Sequence, residues 1–440
     1  MPDQPSLSAS LFSSTAWKQR LVFWAGAIAV GLLIVSLTLL SEWAGQISKQ
    51  TFQDYRWLSF IVSPFGLALT AWLTFRFFPG SERSGVPQVK VALEITGNLA
   101  ERSKLLSLRI VAGKIILSIM GLLSGASVGL GGPSVQIGAS MMASLGRAVR
   151  FPPHYLEKGL ILAGSSAGFA AMFSAPLAGI VFAIEEMGRA LEEKISSLVL
   201  TAIIFAGITA YAILHTYIFF DDRSLVMPWD QRWIAVPLCG IIGGFFGGLF
   251  STITIAGGHI IGRSKRSIVF IAFLAGLAIA VIGYISGGET FGTGYQETQF
   301  MLHHGSQVHP GYFFSKMLAT IATVFSGIPS GLFVPSLAIG AGLGADLARW
   351  LPIAPITAMI LLTMTAYFSG MLQSPITSFV IVMEMTNTSE ILIPLMATAF
   401  FATGTSKLIC PVPLYRALCD AYKQTQQTDT DTEKTKQSDE

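Results

Sequence analysis

Three short stretches interrupt the apolar sequence with glycine and proline in a pattern that could hold an anion: RSGVPQ at Arg83–Gln88, GLGGP at Gly129–Pro133 and GLFVP at Gly331–Pro335. In each, proline stands near the expected start of a helix, where its missing N–H costs nothing. A helix start carries a partial positive charge and several N–H groups with no acceptor of their own. Converging starts therefore make an anion site without burying a full cation. One such break alone reads equally well as a kink in a helical bundle. Three together, two of them related by an internal repeat, are harder to read that way.

A few ionisable groups stand in apolar surroundings, where such residues are functional candidates by default. Glu185 and Glu186 close the run APLAGIVFAIEEM, and Lys114 sits inside RIVAGKIILSIM. A charge at a helix centre costs about 3 kcal/mol on insertion scales, so Lys114 either snorkels to an interface or has work to do at depth. His303, His304 and His309 in HHGSQVH have no acidic or thiol ligand at matching spacing. A solvated polar loop is expected there rather than a metal site. Cys239, Cys410 and Cys419 are an odd number in or near apolar segments, which argues for packing rather than disulfides.

The elements that position these residues must lie in a membrane. Of the 440 residues, 52% are hydrophobic and 12% charged, where a soluble protein carries roughly a quarter charged residues. Leu21–Leu40, Leu198–Phe219, Ser267–Ile285 and Ile353–Gly370 are the clearest spans, and crossing a bilayer takes about 20 apolar residues. The first is not a signal peptide, since it is long and lacks a small-residue cleavage site. Lys18 and Arg20, and the cluster Arg263, Lys265 and Arg266, belong on the cytoplasmic side by the positive-inside tendency. The net charge of +3 calls for no nucleic-acid partner. Residues 1–16 and 421–440 read as disordered polar tails around one membrane domain, 17–420. The 44 glycines and 20 prolines cut many apolar runs short. Such breaks are tolerated at membrane depth only where the backbone is buried in protein or lines an aqueous path.

That domain is built twice. GLGGPSVQIGASMMASLGR, Gly129–Arg147, aligns without gaps on GLFVPSLAIGAGLGADLAR, Gly331–Arg349, with ten of nineteen positions identical. Downstream, after a three-residue slip, Pro176 matches Pro375 and Glu185 matches Glu384. The halves run over approximately 17–220 and 230–420. Two related halves with interrupted apolar segments at matching places mark a transporter whose site lies at the repeat interface. The repeat alone leaves open whether the halves are parallel or inverted.

These motifs, in this order, resemble the CLC family of chloride channels and proton/chloride exchangers. The stretch around Ser84 is similar to the family's Gly-Ser-Gly-Ile-Pro element, GLGGP to its Gly-Arg-Glu-Gly-Pro element and SGLFVP to its Gly-x-Phe-x-Pro element. APLAGIVFAIEEM and PVPLY extend the likeness from the first span to Tyr415. The resemblance implies an all-α membrane fold of two inverted repeats with roughly eighteen broken, tilted helices. It also implies a homodimer with one pore per subunit, in a cell membrane of the bacterial inner type. The partners are then chloride and the lipid bilayer, with no cofactor. The polar residues after Tyr415 are too few for a folded regulatory module.

By the same resemblance, the Ser84 hydroxyl, the Tyr415 phenol and the backbone N–H groups of Leu332 and Phe333 bind a central chloride. Uncharged donors hold an ion firmly enough to dehydrate it and weakly enough to release it. Without the resemblance, Ser84 reads as a helix cap and Tyr415 as an interfacial aromatic. Lys114 resembles a buried lysine that raises the potential along the pore, and Glu186 matches the inner proton-transfer glutamate of the exchangers. The sequence departs from the family at its gate, where arginine is replaced by Leu130 and the gating glutamate by Gly131. Glycine cannot titrate, so the outer anion place is expected to be open or held by chloride itself. With no outer proton acceptor, Glu186 is expected to end a helix, pair with a cation or line the inner vestibule. Passive chloride conduction is the leading expectation, and a proton/chloride exchanger using another acceptor is the alternative. A fluoride exporter fits less well, because Ser84 is of the chloride type. An intramembrane hydrolase would need a nucleophile with its base, paired aspartates or HExxH; the sequence has no HExxH, its few aspartates lie mostly in loops or tails, and the repeat would have no role.

Overall fold

The computed structural model describes residues 14–95, 99–149, 155–188, 197–214, 227, 230–261, 265–305 and 308–424, and helices dominate them. In the first half these are α1 (Ser14–Asp54), α2 (Ser59–Phe77), α3 (Val86–Glu94), α4 (Leu99–Leu105), α5 (Leu108–Leu123), α6 (Gly131–Val149), α7 (Tyr155–Phe173), α8 (Pro176–Phe182) and α9 (Ser197–Leu214). In the second half come α10 (Ala235–Ile261), α11 (Lys265–Ile285), α12 (Tyr295–His304), α13 (Tyr312–Phe325), α14 (Phe333–Trp350), α15 (Ile356–Leu372), α16 (Pro375–Thr386) and α17 (Leu392–Ile409). A last helix, α18, spans 414–424. Among the described residues, seven helices are long and apolar enough to cross a membrane. α1 has 41 residues, about 60 Å of helix, twice the thickness of a bilayer core, and must tilt or project. The chain is a multi-pass membrane protein.

Lipid supplies no hydrophobic drive between helices, so close packing has to come from small side chains. Gly138 of α6 faces Gly164 and Gly168 of α7, and a Cβ on any of the three would strike the other helix's backbone. Gly243, Gly244 and Gly247 of α10 lie in the same way against α15 and α17. α14 and α15 are buried along nearly their whole length and form the centre. Large apolar side chains such as Phe65 and Phe270 are exposed on the periphery, where lipid is their solvent.

The repeat is visible as matched contacts. Gly129 and Gly331, aligned by sequence, pair with each other in an isolated antiparallel bridge: each N–H donates to the other's carbonyl, at 3.0 and 2.7 Å. The aligned Arg147 and Arg349 donate to the carbonyls of Leu106 and Val308, which precede them by the same interval. Glu185 of the first half accepts from the Ile376 and Thr377 N–H groups at the start of α16, at 3.2 and 2.6 Å. Glu384 reciprocates at the start of α8, accepting from Leu177 and Ala178 at 3.1 and 2.7 Å. By the positive-inside tendency at the starts of α1 and α11, Leu106 belongs on the inner side and Val308 on the outer, and halves so placed are inverted.

The ends differ from the expected tails. Residues 14–16 already belong to α1, and α18 runs to 424, beyond the expected boundary at 421. Lys423 forms an ion pair with Glu94, which ties that last turn to α3. The rest of both expected tails, residues 1–13 and 425–440, lies outside the described residues, as do Phe219 and Arg263.

Candidate functional site

Ser84 sits in the loop between α2 and α3, and its place is set by two unusual residues. Gly85 takes the left-handed conformation at φ 99° and is the N-cap of α3, with no side chain capping the helix. Arg83, before Ser84, also has positive φ, 56°, a cost for a residue with a Cβ. The strain is held by neighbours: the Arg83 carbonyl accepts from Lys114 Nζ at 2.6 Å and from the Ser330 N–H at 3.2 Å. Lys114 is wholly buried and donates also toward the Glu82 carbonyl at 3.5 Å, so it does not snorkel. Hydrogen bonds from a charged donor contribute about 1.5–3 kcal/mol, enough to offset the cost of placing the ammonium at depth.

The remaining expected ligands converge here. Ser84 Oγ lies 3.4 Å from the Tyr415 hydroxyl. Tyr415 is 1% exposed, so it is no interfacial aromatic. Its ring packs at 5.8 Å on that of Phe333, the first residue of α14. Leu332 is the N-cap of that helix, and N–H groups at such a position have no intrahelical acceptor. The start of α6 closes the group: a Cβ on Gly132 would run into Ser84 Oγ. Starts of α3, α6 and α14, one from each glycine–proline break, thus meet at one point beside two hydroxyls. A cavity of about 20 Å³ between Arg83, Ser84, Thr254, Leu332 and Leu418 approaches it from the inner side.

Leu130 and Gly131 precede Gly132 at the start of α6, and both are buried. The expectation of an open place beside Gly131 meets an aromatic ring instead. A Cβ added to Gly131 would stand 2.5 Å from Cδ2 of Phe333. Phe333 is in turn set among Phe169, Phe173, Phe182 and Phe368 at centroid distances of 5.3, 6.4, 6.1 and 5.6 Å. Apolar carbon, not a carboxylate, fills the space next to the glycine.

Glu186 is 2% exposed. Its carboxylate pairs with the Lys90 ammonium of α3 and accepts from Ser374 Oγ at 2.7 Å. Lys90, Arg83 and Lys316 carry no sequence-level expectation, although Lys316 had a signal. Lys114 precedes Gly129 by fifteen positions, and Lys316 precedes Gly331 by the same number. Lys316 repeats the behaviour of its mate, being fully buried and donating to the Thr290 and Gly292 carbonyls at 2.9 and 2.8 Å. The histidine expectation needs correction: His303 and His304 close α12 rather than occupying a loop, and His304 stacks on Phe300 at 4.5 Å. A last turn is favourable for groups that can carry positive charge.

Comparison with known proteins finds relatives over most of the chain. Residues 66–407 match the family described as Voltage gated chloride channel. The chain is similar to the H(+)/Cl(-) exchange transporter ClcA of Yersinia pestis bv. Antiqua (strain Angola), with 27% identity over 432 residues, 89% of this chain and 85% of the relative. The transporter of the same name from Vibrio cholerae serotype O1 (strain M66-2) is 28% identical, with 89% of this chain and 88% of the relative covered. Among solved structures, a slow cyanobacterial Cl⁻/H⁺ antiporter superposes with a TM-score of 0.76 at 25% identity, over 91% of this chain and 97% of the other. A CLC-type fluoride/proton antiporter shares the fold, with a TM-score of 0.73 at 22% identity over 91% of this chain and 98% of that one.

Proposed function

This chain belongs to the voltage gated chloride channel family, and from that premise we propose that it conducts chloride passively, without obligatory proton exchange. Chloride transport is the coarser part of the reading. It follows from the family and from the relatives named as chloride exchangers. The finer part rests on one observation: the start of α6 carries Gly131, with the Phe333 ring against it. A carboxylate there would compete with the anion for helix-start donors and, by taking up protons, link proton entry to anion movement. Glycine and phenylalanine can do neither.

Ser84, Tyr415 and the N–H groups of Leu332 and Phe333 hold the ion in this reading, and Lys114 biases the potential in its favour. The Glu186 carboxylate is held by an ammonium and a hydroxyl, and in this reading it joins α3 to the start of α16 and carries no proton across. Phe333 takes the part of a hydrophobic constriction, one of the ways a pore gates. The protein acts as a homodimer with a conducting path in each subunit. Chloride efflux from liposomes, recorded together with proton flux, tests the reading. Chloride movement with no accompanying proton flux is expected, and a constant anion-to-proton ratio would overturn it.

A further inference from the structure

The inverted repeat gives the central site a counterpart on the outer side. Gly294 takes the left-handed conformation at φ 86° and is the N-cap of α12, as Gly85 is for α3. Thr293 stands where Ser84 stands, and the buried Lys316 holds the preceding carbonyls as Lys114 does. Thr293 Oγ1 accepts from the Tyr295 N–H at 3.2 Å, which leaves its own proton to donate. A cavity of about 60 Å³ opens here between α1 and the start of α12, larger than the inner one. Its floor reaches Val334, the second residue of α14, so it leads toward the central point.

Two features distinguish this counterpart. Glu297 occupies the third position of α12, where α3 has Gln88, and its carboxylate, 7% exposed, is paired with the Lys49 ammonium of α1. The Tyr312 hydroxyl is buried with no hydrogen-bond partner and lies 3.2 Å from where a Gly294 Cβ would stand. A cavity lined by an ammonium, a hydroxyl and a helix start, with an unsatisfied phenol beside Gly294, suits a small anion. In this structure a carboxylate of the protein itself holds the ammonium.

We propose that the outer cavity is a second site for a small monovalent anion, held by Lys49 and the first turn of α12, with Glu297 as its built-in competitor. Protonation of Glu297 from the outer solution releases Lys49 and admits the anion. The groups facing it are Glu42 and Lys49 from α1, Tyr295 from α12 itself, Glu289 and His309 from the flanking loops, and Tyr312 and Lys316 from α13. Near neutral pH three carboxylates, Glu42, Glu289 and Glu297, oppose the ammoniums of Lys49 and Lys316, and the mouth repels chloride. Burial, and then the neighbouring Glu297, push the Glu289 carboxyl up, so acid removes that charge as well. Each proton adds one positive charge, and the balance at the mouth turns in favour of anions.

The proposal rests on the passive reading above for its flux readout, and its binding readout stands apart from it. In a planar bilayer, chloride conductance is expected to rise several-fold when the Lys49 side alone is taken from about pH 7.5 to about pH 4.5, across the ordinary carboxylate range. Glu297→Gln should raise the conductance near neutral pH most of the way to the acid level and flatten its pH slope, and Lys49→Gln should stay low at both. A Glu297→Gln protein that keeps the wild-type pH slope would overturn the proposal, as would a flat wild type. Bromide soaked into crystals of Glu297→Gln near neutral pH should give an anomalous peak beside Lys49, and no peak there contradicts the site whatever the flux shows. Proton-coupled transport would defeat the passive reading and leave this second measurement to decide.

Discussion

The two helix entries that the repeat makes equivalent, Arg83–Gly85 leading into α3 and Gly292–Gly294 leading into α12, share a frame and differ in what they offer an anion. Both have a left-handed glycine at the N-cap and a wholly buried lysine donating to the loop carbonyls. The inner entry adds Ser84 against Tyr415, uncharged donors that hold without trapping. The outer one adds Glu297 on Lys49, a charge pair that an anion would have to break. The backbone frame is thus common property of the fold, and a few side chains decide whether it binds, gates or repels.

The largest effect is expected from moving the carboxylate. Gly131→Glu installs at the start of α6 the kind of group that α12 already carries, and displaces the Phe333 ring, 2.5 Å from the new Cβ. Chloride flux near neutral pH should fall at least about tenfold, equivalent to 1.4 kcal/mol, and recover as acid neutralises the side chain. Gly131→Gln separates charge from bulk, since it should slow flux and regain no more on acidification than the wild type does. Equal pH profiles for the two variants would break the comparison.

A smaller effect is expected from removing the hydroxyls. Hydrogen bonds to a charged partner contribute about 1.5–3 kcal/mol each, so Ser84→Ala or Tyr415→Phe should weaken chloride binding by about ten- to a hundredfold in calorimetric titration. Thr293→Ala, its outer counterpart, should leave the affinity near neutral pH within about threefold, because Glu297 already occupies that entry. Equal losses at Ser84 and Thr293 would erase the distinction between them.

The smallest effect concerns the reciprocal caps. Loss of a helix cap costs about 1 kcal/mol, so Glu185→Ala and Glu384→Ala should each lower the melting temperature slightly. Glu384, 6% exposed, should cost more than the half-buried Glu185. Chloride flux through the folded fraction should not change in either variant.

Much of this was legible in the sequence wherever the repeat aligns without gaps. The pairing of Gly129 with Gly331, the matching arginines and the exchanged glutamates all fall inside aligned stretches. The outer entry was not legible, because the halves differ in length before those stretches. Gly85 precedes Lys114 by 29 positions and Gly294 precedes Lys316 by 22, the difference being taken up around α4. A gapless comparison therefore never sets Ser84 beside Thr293 or Gln88 beside Glu297. Lys90 on Glu186 and Lys49 on Glu297 join residues 96 and 248 positions apart, and neither pairing leaves a periodic trace. The ring over Gly131 was hidden for another reason: replacing a side chain by hydrogen is plain in a motif, while what moves into the space depends on packing between the two halves.

The reversal potential under opposed chloride and proton gradients bears most directly on the central claim that a glycine at residue 131 uncouples anion from proton. Passive conduction is expected to follow the chloride gradient alone, about 59 mV per tenfold ratio for a singly charged ion, with no displacement when the pH gradient is imposed or reversed. A displacement that tracks the pH gradient in fixed proportion would contradict it.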